Sequence, residues 1–173
     1  MLVTKTYSKP VKSIQSSEPE RPNLGNQIHL ATYRMLHSSM RTALNGHFGA
    51  RKVKLLLHEA GEIAGKELCL NLLDTRQDFY HFLSQLQHTL IELKIGILRI
   101  EKSDLEMLKF QFVIAEDLDN PKYPGPDFTY CDYEEGFITG IMTAYTNKEF
   151  TVKKVDCWTT GNRVCRYEVT VRP

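Results

Sequence analysis

"KIGILRIEKSDLEMLKFQFVIAE", residues 94–116, is where the hydrophobic period of this chain changes. Upstream of it apolar residues recur at spacings of three and four. Within it they recur at every second position, and Phe110, Phe112 and Ile114 share one face. The pattern predicts two strands, "KIGILRIE" and "LKFQFVIAE". A sheet with one apolar face needs a cover, and the flanking segments show what supplies it.

Toward the N-terminus, Leu24, Ile28, Ala31, Met35, Ser39 and Ala43 mark one face of a helix, ended by Asn45-Gly46 and Gly49. A second helix carries Val53, Leu56, Leu57, Ala60, Ala64 and Leu68 on its buried stripe. A third, capped by Asp74 or Thr75, presents Phe79, Phe82, Leu83, Leu86, Leu90 and Leu93. Toward the C-terminus, "EDLDNPKYPGPDF" holds three prolines and reads as a surface loop. "DFTYCDYEEGFITGIMTAYTN" restores a helical pattern through Cys131, Glu135, Ile138 and Met142, and "KEFTVKKVDC" and "RVCRYEVTV" close the chain as β segments. Three helices, two strands, a helix and two strands give an α+β domain, an antiparallel sheet packed with helices. Residues 1–22, rich in Ser, Lys and Pro, read as a disordered tail, so the domain spans 23–173.

One internal echo stands out. Glu59-Ala-Gly61-Glu-Ile-Ala-Gly65 resembles Glu134-Glu-Gly136-Phe-Ile-Thr-Gly140, an acid followed by two glycines four apart. Each glycine costs up to about 1 kcal/mol against alanine inside a helix. Close backbone packing explains that expense; room for a ligand is the alternative.

Composition excludes several classes of function. The 22 basic and 21 acidic residues nearly cancel, which disfavours a nucleic-acid binder driven by phosphate contacts. No apolar run reaches the roughly 18 residues of a membrane span. The opening "MLVTKTYSKP" lacks the apolar stretch of a signal peptide, so a cytoplasmic location is expected. Enzymatic readings find little support: the six histidines are not clustered, and no nucleophile elbow or Gly-rich dinucleotide loop is present. No catalytic residue is assigned.

The cysteines say more. Folding the last two strands about Gly161 brings Cys157 opposite Cys165, with Cβ atoms about 4.5–5.5 Å apart. Cys131 opens the preceding helix, with Glu134 and Glu135 one turn on. Three thiolates and a carboxylate would close a tetrahedral, structural zinc site of Cys131, Cys157, Cys165 and Glu135. Glu134 competes for the fourth place, and Asp156 should point to the opposite face. The alternative is that the three are buried thiols acting as small hydrophobes; Cys69 reads as plain core.

Cys131-Asp-Tyr-Glu-Glu-Gly136-Phe-Ile-Thr-Gly140, then Cys157-x3-Gly161-x3-Cys165-Arg166-Tyr167-Glu168, resembles the signature of the 4-vinyl reductase domain family. "NLGNQIHLATYRML" and "LLHEAGEIAGKEL" are similar to that family's earlier helices. The resemblance implies a fold shared with nitric-oxide-sensing haem domains and small subunits of the TRAPP vesicle-tethering complex. It also implies a pocket for a small apolar or aromatic molecule, zinc on the three cysteines, a homodimer built on the long first helix, and links to tetrapyrrole or photosynthetic-complex biogenesis. Phe79, Phe82, Phe110, Phe112, Phe137 and Tyr145 are the candidate ligand-binding aromatics, with His81 or Tyr80 as a polar contact. The competing readings are an assembly factor acting through protein contacts and a component of a tetrapyrrole vinyl reductase.

Overall fold

A computed structural model describes residues 21–118, 131–156 and 164–172. Its helices are α1 (Leu30–Phe48), α2 (Ala50–Leu72), α3 (Phe79–Glu92) and α4 (Asp132–Thr146). Its strands are β1 (Ile97–Asp104), β2 (Lys109–Ala115), β3 (Phe150–Asp156) and β4 (Cys165–Val171). The sheet is antiparallel throughout, in the order β1-β2-β4-β3, so the last strand lies between the second and the third. The expected α+β architecture and element order both hold. The expected tail falls almost entirely outside the described residues.

One sheet face carries the core. Leu98, Ile114 and Cys165 form one cross-strand row, Phe112 and Tyr167 a second, and Phe110, Val169 and Val152 a third. Every residue of these rows is buried, as strict alternation requires of a half-covered sheet. Helices α3 and α4 cover this face, bringing Phe82, Leu86, Ile138 and Ile141 onto it. None of the described helices is long and apolar enough to cross a membrane.

The glycine echo resolves as helix contact. A Cβ on Gly61 or Gly65 would lie closer than 3.0 Å to the backbone of Tyr133 and Phe137 respectively. Reciprocally, a Cβ on Gly136 or Gly140 would strike the carbonyls of His58 and Glu62. Helices α2 and α4 therefore touch backbone to backbone at four points, each using a glycine of one helix and a carbonyl of the other. Only residues without side chains allow so close an approach.

Three local expectations change. Asp78, not Asp74 or Thr75, caps α3: its carboxylate accepts from the Tyr80 and His81 amides at 3.0 and 3.3 Å. Asp74 instead accepts from the backbone and guanidinium of Arg76, forming a turn ahead of the helix. Helix α1 begins at Leu30 behind the His29 cap, runs through Gly46, and ends where Gly49 adopts φ 75°.

The third change is the most consequential, because the apolar stripe of α1 does not face the domain. Leu36, Met35 and Met40 are exposed, as are Leu24 and Ile28 ahead of the helix, while Tyr33, Arg34, His37 and Arg41 turn inward. Arg41 is the buried residue of the helix, and it meets Asp132 of α4 at 3.5 Å; Lys54 reaches the same carboxylate at 3.3 Å.

Two substitutions separate glycine's packing role from its helix propensity. Gly140→Ala forces a methyl into the Glu62 carbonyl and should destabilise by about 3 kcal/mol or more. Gly46→Ala meets open space in α1 and should stabilise by up to about 1 kcal/mol. Urea denaturation reads both, and equal effects of the same sign would contradict this account.

Candidate functional site

The first turn of α4 is the densest concentration of chemistry among the described residues. Cys131 occupies its N-cap position, and Asp132, Glu134 and Glu135 follow within one turn. Each acid takes a different neighbour. Asp132 pairs with Arg41 and Lys54, Glu134 is buried toward the sheet, and Glu135 accepts the Lys154 amide of β3 at 2.9 Å.

Cys131 lies over β4, with its Sγ 4.0 Å from Sγ of Cys165. Both residues are buried. Two thiolates on one tetrahedral zinc, with Zn–S of about 2.3 Å, stand about 3.8 Å apart, so this pair has the spacing of a shared metal. Cys157, the third expected ligand, lies outside the described residues. The ladder carries β3 as far as Asp156, opposite Arg166. Among the described residues no group of three His, Cys, Asp or Glu side chains converges on a metal-sized point. Asp156 accepts from the Arg166 guanidinium, which also grips Glu101 through two hydrogen bonds of 2.6 and 2.9 Å.

Tyr167 sits two residues beyond Cys165 on the same face, fully buried, and its hydroxyl has no hydrogen-bond partner among the described residues. Burial first, and then the neighbouring Glu134 carboxylate and Cys131, hold its phenol well above the ordinary value. Within the described residues the hydroxyl is thus a neutral donor with nothing to donate to. Cys69 is also fully buried, and desolvation pushes its thiol up to about 11, which fits the inert core role expected of it.

The aromatic residues expected to line a pocket are brought together, but largely on each other. Phe82 stacks on Tyr145 with centroids 3.8 Å apart, and Phe79 stacks on Phe110 at 4.8 Å. Phe110 and Phe112 are 5.9 Å apart, and the Tyr145 hydroxyl donates to the Gln77 carbonyl. The gap left beside Phe112 and Phe137 is about 10 Å³, the room of a single water. His81 and Tyr80 are exposed, and His81 lies against the Asp78 carboxylate.

A larger cavity, about 130 Å³, opens one layer away, between α1, the start of α4 and the ends of β1 and β2. Of the expected ligand-binding set, Phe137 borders it. The rings of Tyr33 and Tyr133 join Phe137 in the lining, and the carboxylates of Asp117 and Glu134 face it. Tyr133 and Phe137 stack at 6.3 Å, and His37 bridges Tyr33 and Tyr133 at 5.9 and 6.4 Å. Besides Phe137, the sequence reading had singled out only Glu134 of these residues, and as a metal ligand. The available signal was the spacing of four in Tyr33–His37 and Tyr133–Phe137, which sets two aromatic pairs on helix faces.

An antiparallel sheet covered by α3 and α4, with α2 locked onto α4, is the architecture of a known class. The trafficking protein particle complex subunit 3 from Naegleria fowleri, solved covalently bound to palmitic acid, superposes with TM-score 0.67 at 12% identity, covering 83% of this chain and 95% of that one. The phenol-responsive sensory domain of the transcription activator PoxR, solved with phenol, gives 0.61 at 15%, covering 83% and 75%. An H-NOX protein from S. oneidensis in the Fe(II)NO state gives 0.52 at 12%, covering 78% and 73%. Within that class, residues 112–171 match the 4-vinyl reductase domain family, as the cysteine-bearing motif implied. A vinyl-4-reductase family protein from Methanocaldococcus jannaschii superposes with TM-score 0.61 at 16% identity over 87% of this chain and 85% of its own. An uncharacterized protein of that organism is 30% identical over 105 residues, which is 61% of this chain and 59% of the relative's length.

The isolated Tyr167 hydroxyl makes a simple test. In metal-free protein, Tyr167→Phe should leave stability unchanged or raise it by up to about 1 kcal/mol, because an unpartnered buried polar group is removed. A clear loss in thermal denaturation would show that the hydroxyl is satisfied.

Proposed function

We propose that this chain is a sensor or carrier domain for a small, single-ring-sized hydrophobic or aromatic molecule. The observation that carries the reading is the cavity of about 130 Å³ lined by Tyr33, Tyr133 and Phe137, close in size to engineered cavities of about 150 Å³ that bind benzene. The phenol in the PoxR sensory domain and the palmitic acid in the trafficking subunit support it, since this fold accommodates apolar guests there. A tetrapyrrole is several times too large for the cavity, which confines the reading to smaller ligands. Thermal denaturation of the full chain with a panel of single-ring compounds of mixed charge tests it. At millimolar concentration at least one member should raise Tm by a few degrees. A flat response across the panel removes the reading.

Two further parts belong to the proposal. Cys131, Cys157 and Cys165, with Glu135 or Glu134, would hold a structural zinc that ties α4 to the terminal strands. The 4.0 Å sulfur spacing and the unpartnered Tyr167 hydroxyl beside the pair support this fit. A second copy of the chain would cover Met35, Leu36 and Met40 of α1, giving a homodimer; a helix whose apolar side faces away from its own domain supports this. Native mass spectrometry should find a dimer with one zinc per chain, and Cys165→Ser should lose the zinc. A metal-free mass counts against the site, and a monomer against the dimer.

A further inference from the structure

We propose that the cavity selects a small organic cation, a protonated amine on a ring-sized apolar body, over neutral and anionic molecules of the same shape. The proposal rests on the ligand-binding reading above and names the class of ligand within it.

The lining residues decide the sign of charge. Asp117 and Glu134 are 7% and 6% exposed, so two carboxylates face one cavity from nine-tenths-buried positions. Among the described residues the lining includes no lysine, arginine or histidine. Nearby cations have placed contacts of their own: Arg34 Nε donates to the Leu118 carbonyl at 3.2 Å, and Arg41 and Lys54 meet Asp132. His37 stands behind Tyr33 and Tyr133, stacked on one ring and edge-on to the other. A ligand carboxylate would meet two like charges in a partly dehydrated space, which is unfavourable. An ammonium would meet opposite charges there.

The rings favour the same sign. Aromatic faces carry negative potential, and a cation held within about 6 Å of a ring centroid is attracted by it. Tyr33 on α1 and the stacked Tyr133–Phe137 pair on α4 place three rings around one cavity. Ile95 and Ile114 complete an apolar wall for the body of the ligand. The half-buried Tyr33, Tyr133 and Leu118 form the rim, and the buried acids the floor. A metal ion is a poorer occupant, because no third ligand of suitable type converges with the two acids among the described residues.

The test compares three probes of nearly one shape, benzylamine, benzyl alcohol and benzoate, by isothermal titration of the full chain at pH 7. Benzylamine should bind at least tenfold more tightly than benzyl alcohol, and benzoate most weakly. Glu134→Gln and Asp117→Asn should each reduce the amine preference to about threefold or less while leaving benzyl alcohol binding unchanged. The comparison within the parent protein stands even if a variant fails to fold. Equal binding of amine and alcohol, or a preference unaltered in folded variants, overturns the cation inference while ligand binding itself survives. Failure of all three probes to bind removes both.

Discussion

The four glycine-to-carbonyl contacts between α2 and α4 set the geometry on which everything else in this domain depends. Helices that meet through side chains stand 8–10 Å apart and adjust when one side chain changes. Helices that meet through backbone have no such freedom, because nothing flexible lies between them. The contacts fall on Gly61, Gly65, Gly136 and Gly140, so they lock rotation and translation together over a full turn. The residues whose backbone abuts Gly61 and Gly65 are Tyr133 and Phe137, whose rings line the cavity. The same clamp holds the start of α4 over β4, where Cys131 approaches Cys165. Cavity and thiol pair are both consequences of one helix contact. The propensity lost at four glycines is modest beside the close packing they allow.

Helix α1 obeys a different logic. Amphipathic helices normally turn their apolar stripe inward, whereas α1 docks through Tyr33, Arg34, His37 and Arg41. The buried Arg41–Asp132 contact contributes little net stability, because desolvation of the two charges offsets their attraction. Its effect is positional: a charge at Arg41 has its counter-charge at the start of α4, and slippage of α1 would leave both without compensation. Tyr33 is thereby held over the cavity, so the ring that completes the site arrives on the most peripheral helix.

The sequence shows a good deal of this and conceals the rest for identifiable reasons. The change of period at residues 94–116 located the sheet, and alternation named its buried face correctly through Phe110, Phe112 and Ile114. The repeated acid-Gly-x3-Gly pattern pointed to close helix packing, although the predicted stripe of α2 ran through Ala60 and Ala64 rather than the glycines themselves. Periodicity finds the apolar side of a helix but not which neighbour it meets, so α1 was legible as amphipathic and illegible as reversed. Several aspartates precede α3, and only geometry distinguishes the cap Asp78 from the turn-former Asp74. The cavity is harder still. Its lining comes from α1, the ends of β1 and β2, and α4, segments far apart along the chain with no common spacing. Aromatic residues close in sequence to the sheet were the natural candidates, and the structure stacks most of them into the core.

Why the acids gather at one helix turn follows from electrostatics. The N-terminus of a helix carries partial positive charge from its unpaired amides, which stabilises a nearby carboxylate by about 0.3–1 kcal/mol and more where partly buried. Asp132, Glu134 and Glu135 all lie in that field at the start of α4. Because successive residues project about 100° apart around a helix, the three reach separate neighbours: α1, the interior and β3. Asp132 and Glu135 are spent on attachment. Glu134 is the member directed at the cavity, held there by a helix that cannot rotate against α2. A carboxylate in a low-dielectric setting, oriented by backbone contacts, exerts more discrimination on a guest's charge than the same group on a mobile surface side chain. The rigidity of the glycine clamp and the selectivity of the cavity are thus two aspects of a single arrangement.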